Sequence, residues 1–535
     1  MMNRAPTRWE YALIFALTLA AGATVAGMIE EPGYTDAYYY YNAAHRLVGG
    51  EGLTDPYVAL TYIGAQDRLP QPSHLYWMPL ASLVAAAGMW LGGSTFKAAQ
   101  APFVVLWAAL ALVSFWCGAR LGKTRRHAWV AGLLAICSGF FAPFWTSTDT
   151  FALYGVTGVL ALAGMGLARA RRDPRWMALS GAMAGLAHLT RADGMLLPAA
   201  ILLVALWPDT SPPNLLSTRG EGASWRGRAK AAGVGLLTYA LVMLPWVARN
   251  VSVGAPPLPT GGAVTIWLRD YAEIVNYPPD NLTLQRFLDW GAGNIIDSRW
   301  EALVTNVQHF VAEQGLVVLA PFIVIGMWRR RRAPFLTGVW VYAVGLHLAM
   351  TFAFAYPGMR GGLFHSSAAL LPFWFSVGVL GIDDAVDWAA ARRRSWRPAQ
   401  AKLIFTAALV VIAALLTLSV LGARLPAWNE AGKRYATLDE MLPADARVMV
   451  NDPAAFYYHT GRPGVVVPNG RAEAVRALAE RYGVTHVILD INRTPPLTDL
   501  YLGREQADFL SEVALLNGGD DDPANDVRVF RVDLR

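Results

Sequence analysis

Apolar runs alternate with short polar turns from residue 10 to about residue 422. The runs at 10–29, 98–119, 128–144, 151–168, 176–190, 194–207, 231–248, 314–328, 335–355, 366–383 and 402–422 carry almost no charge. A membrane-spanning helix needs about 20 such residues, so the pattern predicts about eleven of them. A further stretch, Leu75–Leu91, is nearly long enough to span, and whether it crosses decides the topology of everything after it.

The basic residues settle that question. They gather in five short loops: Arg120/Lys123/Arg125/Arg126, Arg169/Arg171/Arg172/Arg175, Arg219/Arg226/Arg228/Lys230, Arg329–Arg332, and Arg392–Arg394 with Arg397 and Lys402. Short loops of this kind stay cytoplasmic. With an inside N-terminus and a non-crossing Leu75–Leu91, all five fall inside; with a crossing one, all five fall outside. The segment is therefore expected as an outer juxtamembrane helix, which its Pro70, Pro72 and Pro79 and its Ser73, His74, Tyr76 and Trp77 suit. The long connections, 30–97 and 249–313, then face outward, as does everything after about Leu425. Arg4 and Arg8 precede a first run without a clear cleavage site, which reads as a retained helix.

Beyond residue 425 the period changes. Arg447–Val450 and Thr485–Leu489 read as buried strands, and Ala474, Val475, Leu478 and Tyr482 recur at helical spacing between them. Val527–Val532 alternates like a closing strand. The expected organisation is a transmembrane domain over 1–424 and a small extracytoplasmic α/β domain over 425–535.

Composition agrees. Of 535 residues, 55% are hydrophobic and 16% charged, against about 25% charged in soluble proteins. The formal charge of +6 sits in the membrane-flanking loops, so nucleic acid is set aside. Cys117 and Cys137 both lie in apolar runs, which excludes a disulfide or zinc framework. No nucleotide-binding loop, zincin helix or nucleophile elbow is present.

Candidate chemistry collects on the outer side. Asp36 stands in Tyr34-Thr35-Asp36-Ala37-Tyr38-Tyr39-Tyr40-Tyr41, just past the first run. There a carboxylate can accept a proton from a hydroxyl or help hold a metal ion, and tyrosines such as Tyr38 offer flat faces to a sugar. The plainer alternative is that Thr35 or Asp36 caps a helix. Asp149, in Thr146-Ser147-Thr148-Asp149-Thr150, is expected on the same face. Arg191, in Thr190-Arg191-Ala192-Asp193-Gly194, and Arg360, in Tyr356-Pro357-Gly358-Met359-Arg360-Gly361-Gly362-Leu363-Phe364-His365, lie where arginine is disfavoured. A guanidinium fork at the membrane edge matches a phosphate. Arg191 has Asp193 as an alternative local partner; Arg360 has no nearby acid.

These segments, with Pro72-Ser73-His74-Leu75-Tyr76-Trp77, resemble in order and spacing the GT-C glycosyltransferases. The likeness is to the bacterial relatives of the protein O-mannosyltransferases and the ArnT family, and covers roughly residues 8–382. The resemblance implies a polyprenyl-phosphate sugar donor, a glycan, lipid or protein acceptor, and transfer with inversion. It implies Asp36 as base, Asp149 orienting the acceptor or a cation, and Arg191 and Arg360 stabilising the departing phosphate. His365, Tyr38 and His74 complete the expected substrate contacts. Ala37 follows Asp36 where some members carry two adjacent acids, so no metal is assigned, though a divalent cation stays open. The expected location is the inner membrane. The rival reading is a transporter or lipid-linked sugar flippase; that class keeps charges and broken helices at mid-membrane, whereas the polar residues here gather at the outer rim.

Overall fold

The computed structural model describes residues 5–207, 225–259, 261–393, 395–516, 522 and 525–534; Arg219 and Arg394 of the basic loops lie outside this set. The chain is a membrane protein built mainly of helices. Helix α1 (Arg8–Met28) leads through a short turn to α2 (Thr35–Val48), and α3 (Leu80–Gly92) precedes the long α4 (Phe96–Gly122). α5 (Arg125–Ile136) is followed by a 3-10 stretch over Gly139–Thr146, by α6 (Phe151–Arg171), α7 (Arg175–Thr190), α8 (Leu196–Leu206) and α9 (Trp225–Ser252). The second long connection holds the short α10 (Gly261–Val264) and α11 (Leu284–Asp289), then α12 (Ala292–His309). After it come α13 (Ala320–Arg329), α14 (Thr337–Leu348), α15 (Ala355–Pro357), α16 (Leu363–Ser367), α17 (Leu371–Ala390) and α18 (Pro398–Glu440).

Among the described residues, seven helical segments are long and apolar enough to cross a membrane, or eight if α5 and the 3-10 stretch, bent by 65°, count as one. The sequence pattern predicts about eleven. The difference lies in breaks. Run 176–190 becomes the 16-residue α7, ended at Arg191 where the backbone turns extended. Run 314–328 shrinks to the ten residues of α13, because Leu316 and Val317 adopt left-handed φ values of 47° and 65° just before it. The Leu75–Leu91 stretch is helical only from Leu80, over 13 residues. At 1.5 Å per residue that is about 20 Å, well short of a bilayer core of about 30 Å.

α18 solves the opposite problem. Its 43 residues reach about 65 Å, so its apolar first half can cross while its polar second half stands clear and carries the C-terminal region without a flexible joint. That region holds strands over Val448–Val450, Gly464–Val466, His486–Leu489, Leu510–Leu516 and Val527–Val532, with helices α19 (Pro453–Thr460), α20 (Ala472–Tyr482) and α21 (Thr498–Tyr501). The expected strands at 447–450, 485–489 and 527–532 are present. Val527–Val532 lies inside the sheet, with Leu510–Leu516 at the edge.

The sheet is not made by the tail alone. Its other edge is a two-residue strand from the first long connection, Tyr57–Val58, paired in parallel with Gly464–Val465. The core beneath includes Val58 and Tyr62 from that loop and Ile274 and Val275 from the second. Asn469 Nδ2 donates to Asn276 Oδ1 at 2.7 Å. Both long connections and the tail thus form one body over the helix ends, and α2 is held under it.

Candidate active site

The turn from α1 to α2 aims the first carboxylate. Exposed carbonyls at the end of α1 are satisfied from elsewhere: Lys97 Nζ donates to Ala26 O at 2.5 Å and Asn429 Nδ2 to Met28 O at 2.9 Å. Gly33 then takes φ +86°, and a Cβ there would lie 2.5 Å from Trp428 Cγ, so only glycine lets α18 pack so close to the turn. α2 begins at Thr35 with Tyr34 as its N-cap residue and no side-chain cap. Neither Thr35 nor Asp36 caps the helix. The Thr35 hydroxyl donates instead to Asp452 Oδ2 at 2.6 Å, tying α2 to the start of α19.

Asp149 comes from the irregular Ser147–Thr150 segment between the bent 3-10 stretch and α6, whose residues are all fully buried. Thr148 Oγ1 donates to Ala37 O at 2.9 Å, which fixes this segment against α2. Asp149 accepts from Tyr34 Oη at 2.8 Å and from the Thr150 N–H at 2.5 Å. From the other side, π-type turns at the end of α14 and over Gly358–Gly362 break the Pro334–Ala390 region. Gly361, at φ +122°, permits the second break and brings His365 inward. One ligand atom each from Asp36, Asp149 and His365 lies within 4.8 Å of the others.

Arg191 closes the cluster. Its Nη1 donates to His365 Nδ1 at 2.8 Å, and its Nε to Asp193 Oδ1 at 3.2 Å. A guanidinium only donates, so Nδ1 is an acceptor; the Thr150 hydroxyl lies 3.0 Å from the same nitrogen. Asp193 in turn accepts from Ser366. The local Arg191–Asp193 pair weighed from sequence therefore exists, and it orients an arginine that also reaches the site.

Arg360 behaves differently. It is exposed, its guanidinium stands 5.5 Å from the Tyr271 ring centroid, and among the described residues it has no carboxylate partner. Burial and then the Asp36 charge push the Tyr271 hydroxyl up, against Arg360 and Arg191, so Tyr271 stands between this arginine and the cluster's charges. Tyr76 senses Asp36, Arg191 and Asp193 as well. Tyr271 escaped the sequence reading; it lies in a long connection with no pattern to single it out.

Two expected contacts lie elsewhere. His74 is fully buried, with Nδ1 2.7 Å from Ser73 Oγ, Nε2 3.0 Å from Ser82 Oγ and its N–H on Tyr39 Oη. Burial, reinforced by the charge of Arg249, pushes its pKa down to about 3, so it is a neutral packing element. Tyr38, 1% exposed, turns toward the tail, with Oη 3.2 Å from His459 Nε2. Its helical neighbours Tyr34 and Asp36 face the cluster instead.

Burial and then the Asp149 charge push the Asp36 carboxyl up to about 7, against the opposing pull of Arg191; Asp452 adds a smaller upward push. Burial likewise raises Asp149, against the hydrogen bonds it accepts from Thr150 and Tyr34. A group charged only above about 7 can act as a base there, so turnover should rise with pH up to that point and fall about tenfold per unit below it. Asp149→Asn removes the larger charge neighbour and should move this acid limb to lower pH; Asp452→Asn, still able to cap α19 and to accept from Thr35, should move it the same way by less. Turnover measured across the limb decides: a limb that stays put in Asp149→Asn means another group titrates.

The cluster also has a donor set for a divalent cation: one oxygen from each carboxylate and an imidazole nitrogen, which is compatible with such an ion. Both Asp149 oxygens already accept, and Arg191 brings positive charge to the same imidazole. The residues would hold an ion chiefly through Asp36.

Residues 72–220 match the family model of dolichyl-phosphate-mannose-protein mannosyltransferases. No curated protein matches the chain in sequence. Among solved structures, ArnT from Cupriavidus metallidurans bound to undecaprenyl phosphate is similar over 98% of both chains, at 15% identity and a TM-score of 0.56. The archaeal oligosaccharyltransferase AglB from Archaeoglobus fulgidus, in complex with an inhibitory peptide and a dolichol-phosphate, is similar over 97% of this chain and 76% of its own, at 13% identity and a TM-score of 0.56. The chain therefore shares its overall fold with these two solved membrane proteins, and its residues 72–220 resemble the mannosyltransferase family.

Proposed function

We propose that the protein is a glycosyltransferase that moves a monosaccharide from a polyprenyl-phosphate donor to a hydroxyl-bearing acceptor outside the cytoplasm, with inversion. The observation that carries this reading is the meeting of Asp36, Asp149, Arg191 and His365, from four separated segments, in the same region as an exposed Arg360 that has no carboxylate partner among the described residues. Asp36 takes the acceptor's hydroxyl proton. The acceptor oxygen forms a bond to the anomeric carbon from the side opposite the leaving group, and the bond from that carbon to the phosphate oxygen breaks. The lipid phosphate leaves with both electrons, and its charge is met by Arg360 at the rim and by the field of Arg191 behind it. Asp149, held by Tyr34 and Thr150, orients the acceptor. The similar ArnT and AglB structures hold polyprenyl and dolichol phosphates, which supports the donor class.

A flippase would need a polar path through the bilayer. The charged pairs here, such as Arg126–Asp383 and Arg330–Asp384, lie near helix ends, and the Asp36 cluster collects under the soluble body. The direct test is mass spectrometry of envelope lipids with and without the gene. A polyprenyl-phosphate sugar that accumulates in the deletion names the donor, and an unchanged lipid profile rejects the reading.

We place the sheet-bearing body and residues 425–535 outside the cytoplasm, and the basic loops inside. Ser395 and Ser511 are both exposed, while Cys117 is buried and Cys137 half-buried, so single cysteines at the two serines report against a low background. A membrane-impermeant maleimide should label Ser511→Cys and spare Ser395→Cys in intact cells. The reverse pattern inverts the topology.

A further inference from the structure

An apolar cavity lies away from the site. It is a groove of roughly 300 Å³ between α13, α17 and α18, with a nearly wholly apolar lining that includes Phe322, Val386, Ala389, Trp396, Phe405 and Leu409. α17 starts beside His365 and runs 20 residues to Ala390, about 30 Å, so the groove lies toward the opposite membrane face. We propose that it holds one acyl chain of an anionic phospholipid, whose phosphate rests on Arg393 and Arg397.

The argument begins with what can fill the space. A groove without hydrogen-bonding groups stays dry and accepts apolar guests. Open to the bilayer, its neighbours are lipid chains. Trp396, half-buried at the groove's end, marks the interfacial depth where indoles settle. The turn that carries it also carries the charges, and most of those near the groove are already engaged. Lys402 Nζ lies 2.7 Å from Asp387, Arg330 Nη1 lies 2.7 Å from Asp384, and Arg392 stacks 4.1 Å from the Trp388 ring centroid. Arg393 and Arg397 are exposed and have no carboxylate partner among the described residues. Unpaired arginines at the headgroup end of an apolar groove between helices are complementary to a lipid with net negative charge. Phosphatidylcholine fits less well, because its own ammonium competes for the phosphate. The donor lipid is disfavoured too, since its phosphate would be held near Arg360, at the other face.

The test uses the purified full chain in phosphatidylcholine nanodiscs doped with a phosphatidylglycerol that carries a photoreactive acyl chain, with adducts mapped by mass spectrometry. Adducts should concentrate on the Val386–Ala389 and Phe405–Ile412 segments and be competed by unlabelled phosphatidylglycerol but not by phosphatidylcholine. The double variant Arg393→Gln/Arg397→Gln should lower their yield roughly thirtyfold, since each basic residue near an anionic headgroup contributes about a factor of five. Ala408→Trp should abolish them by filling the groove. Because the arginine variant changes only exposed side chains, it remains readable even if the tryptophan variant does not fold. Equal labelling by a phosphatidylcholine probe, competition by polyprenyl phosphate, adducts spread evenly over all lipid-facing helices, or a dimer that shields the groove from any probe would each overturn the proposal.

Discussion

Asp36→Asn should insert, fold and bind donor, yet turn over roughly 10²–10⁴ times more slowly. The substitution keeps the shape of the side chain and removes its charge together with its ability to take a proton. Because α2 has no side-chain cap and Thr35 is engaged with Asp452, the helix does not depend on the Asp36 charge for its start. The change should even relieve the close approach of the half-buried Asp36 and the fully buried Asp149, since the Asp149 charge is among the causes that push Asp36 upward. Folding and catalysis therefore separate in one variant. The measurement is sugar release from a synthetic polyprenyl-phosphate donor by purified protein in liposomes, alongside a thermal unfolding midpoint. A slow enzyme with an unchanged midpoint identifies the base; near wild-type turnover removes Asp36 from that role.

What could be read from the residues was whatever depends on local pattern. Apolar runs gave the helices, because burial in lipid leaves its mark residue by residue, and Pro79 within Leu75–Leu91 foreshadowed a helix that starts only at Leu80. The outer acids and arginines could be grouped because topology puts loops of one parity on one face. Contacts across hundreds of residues left no local trace. Tyr57–Val58 is too short to announce a strand, and it becomes one only because Gly464–Val466 is there to pair with it. Tyr271 needs the second outer connection to fold back over Asp36 before it means anything. His74 failed for a related reason: its polar neighbours suggested an accessible interface, but the partners that satisfy it, Ser73 and Ser82, bury it within its own segment. Among the tyrosines after Asp36, helical phase sorts one face toward the cluster and another toward the tail, and the phase is set by where Gly33 lets α2 begin.

Arg191 and Arg360 should respond differently to mutation, and that contrast tests the proposed donor site. Arg191 is built into the protein: alanine there leaves Asp193 without its cation and His365 Nδ1 without its strongest donor, so loss of folded protein is expected along with loss of activity. Arg360 is exposed, has no carboxylate partner among the described residues, and its guanidinium stands 5.5 Å from the Tyr271 ring centroid, so Arg360→Ala should leave the folded state intact. What it removes is a charge-assisted contact to the donor phosphate, of about 1.5–3 kcal/mol, which corresponds to roughly a ten- to hundredfold weaker affinity. Arg360→Lys restores the charge without the fork and should recover only part of the loss. Titration of the purified protein with a fluorescent polyprenyl phosphate reads all three variants, and the unfolding midpoint shows whether Arg360→Ala is still folded. Full donor affinity in a folded Arg360→Ala protein would move the phosphate away from this loop.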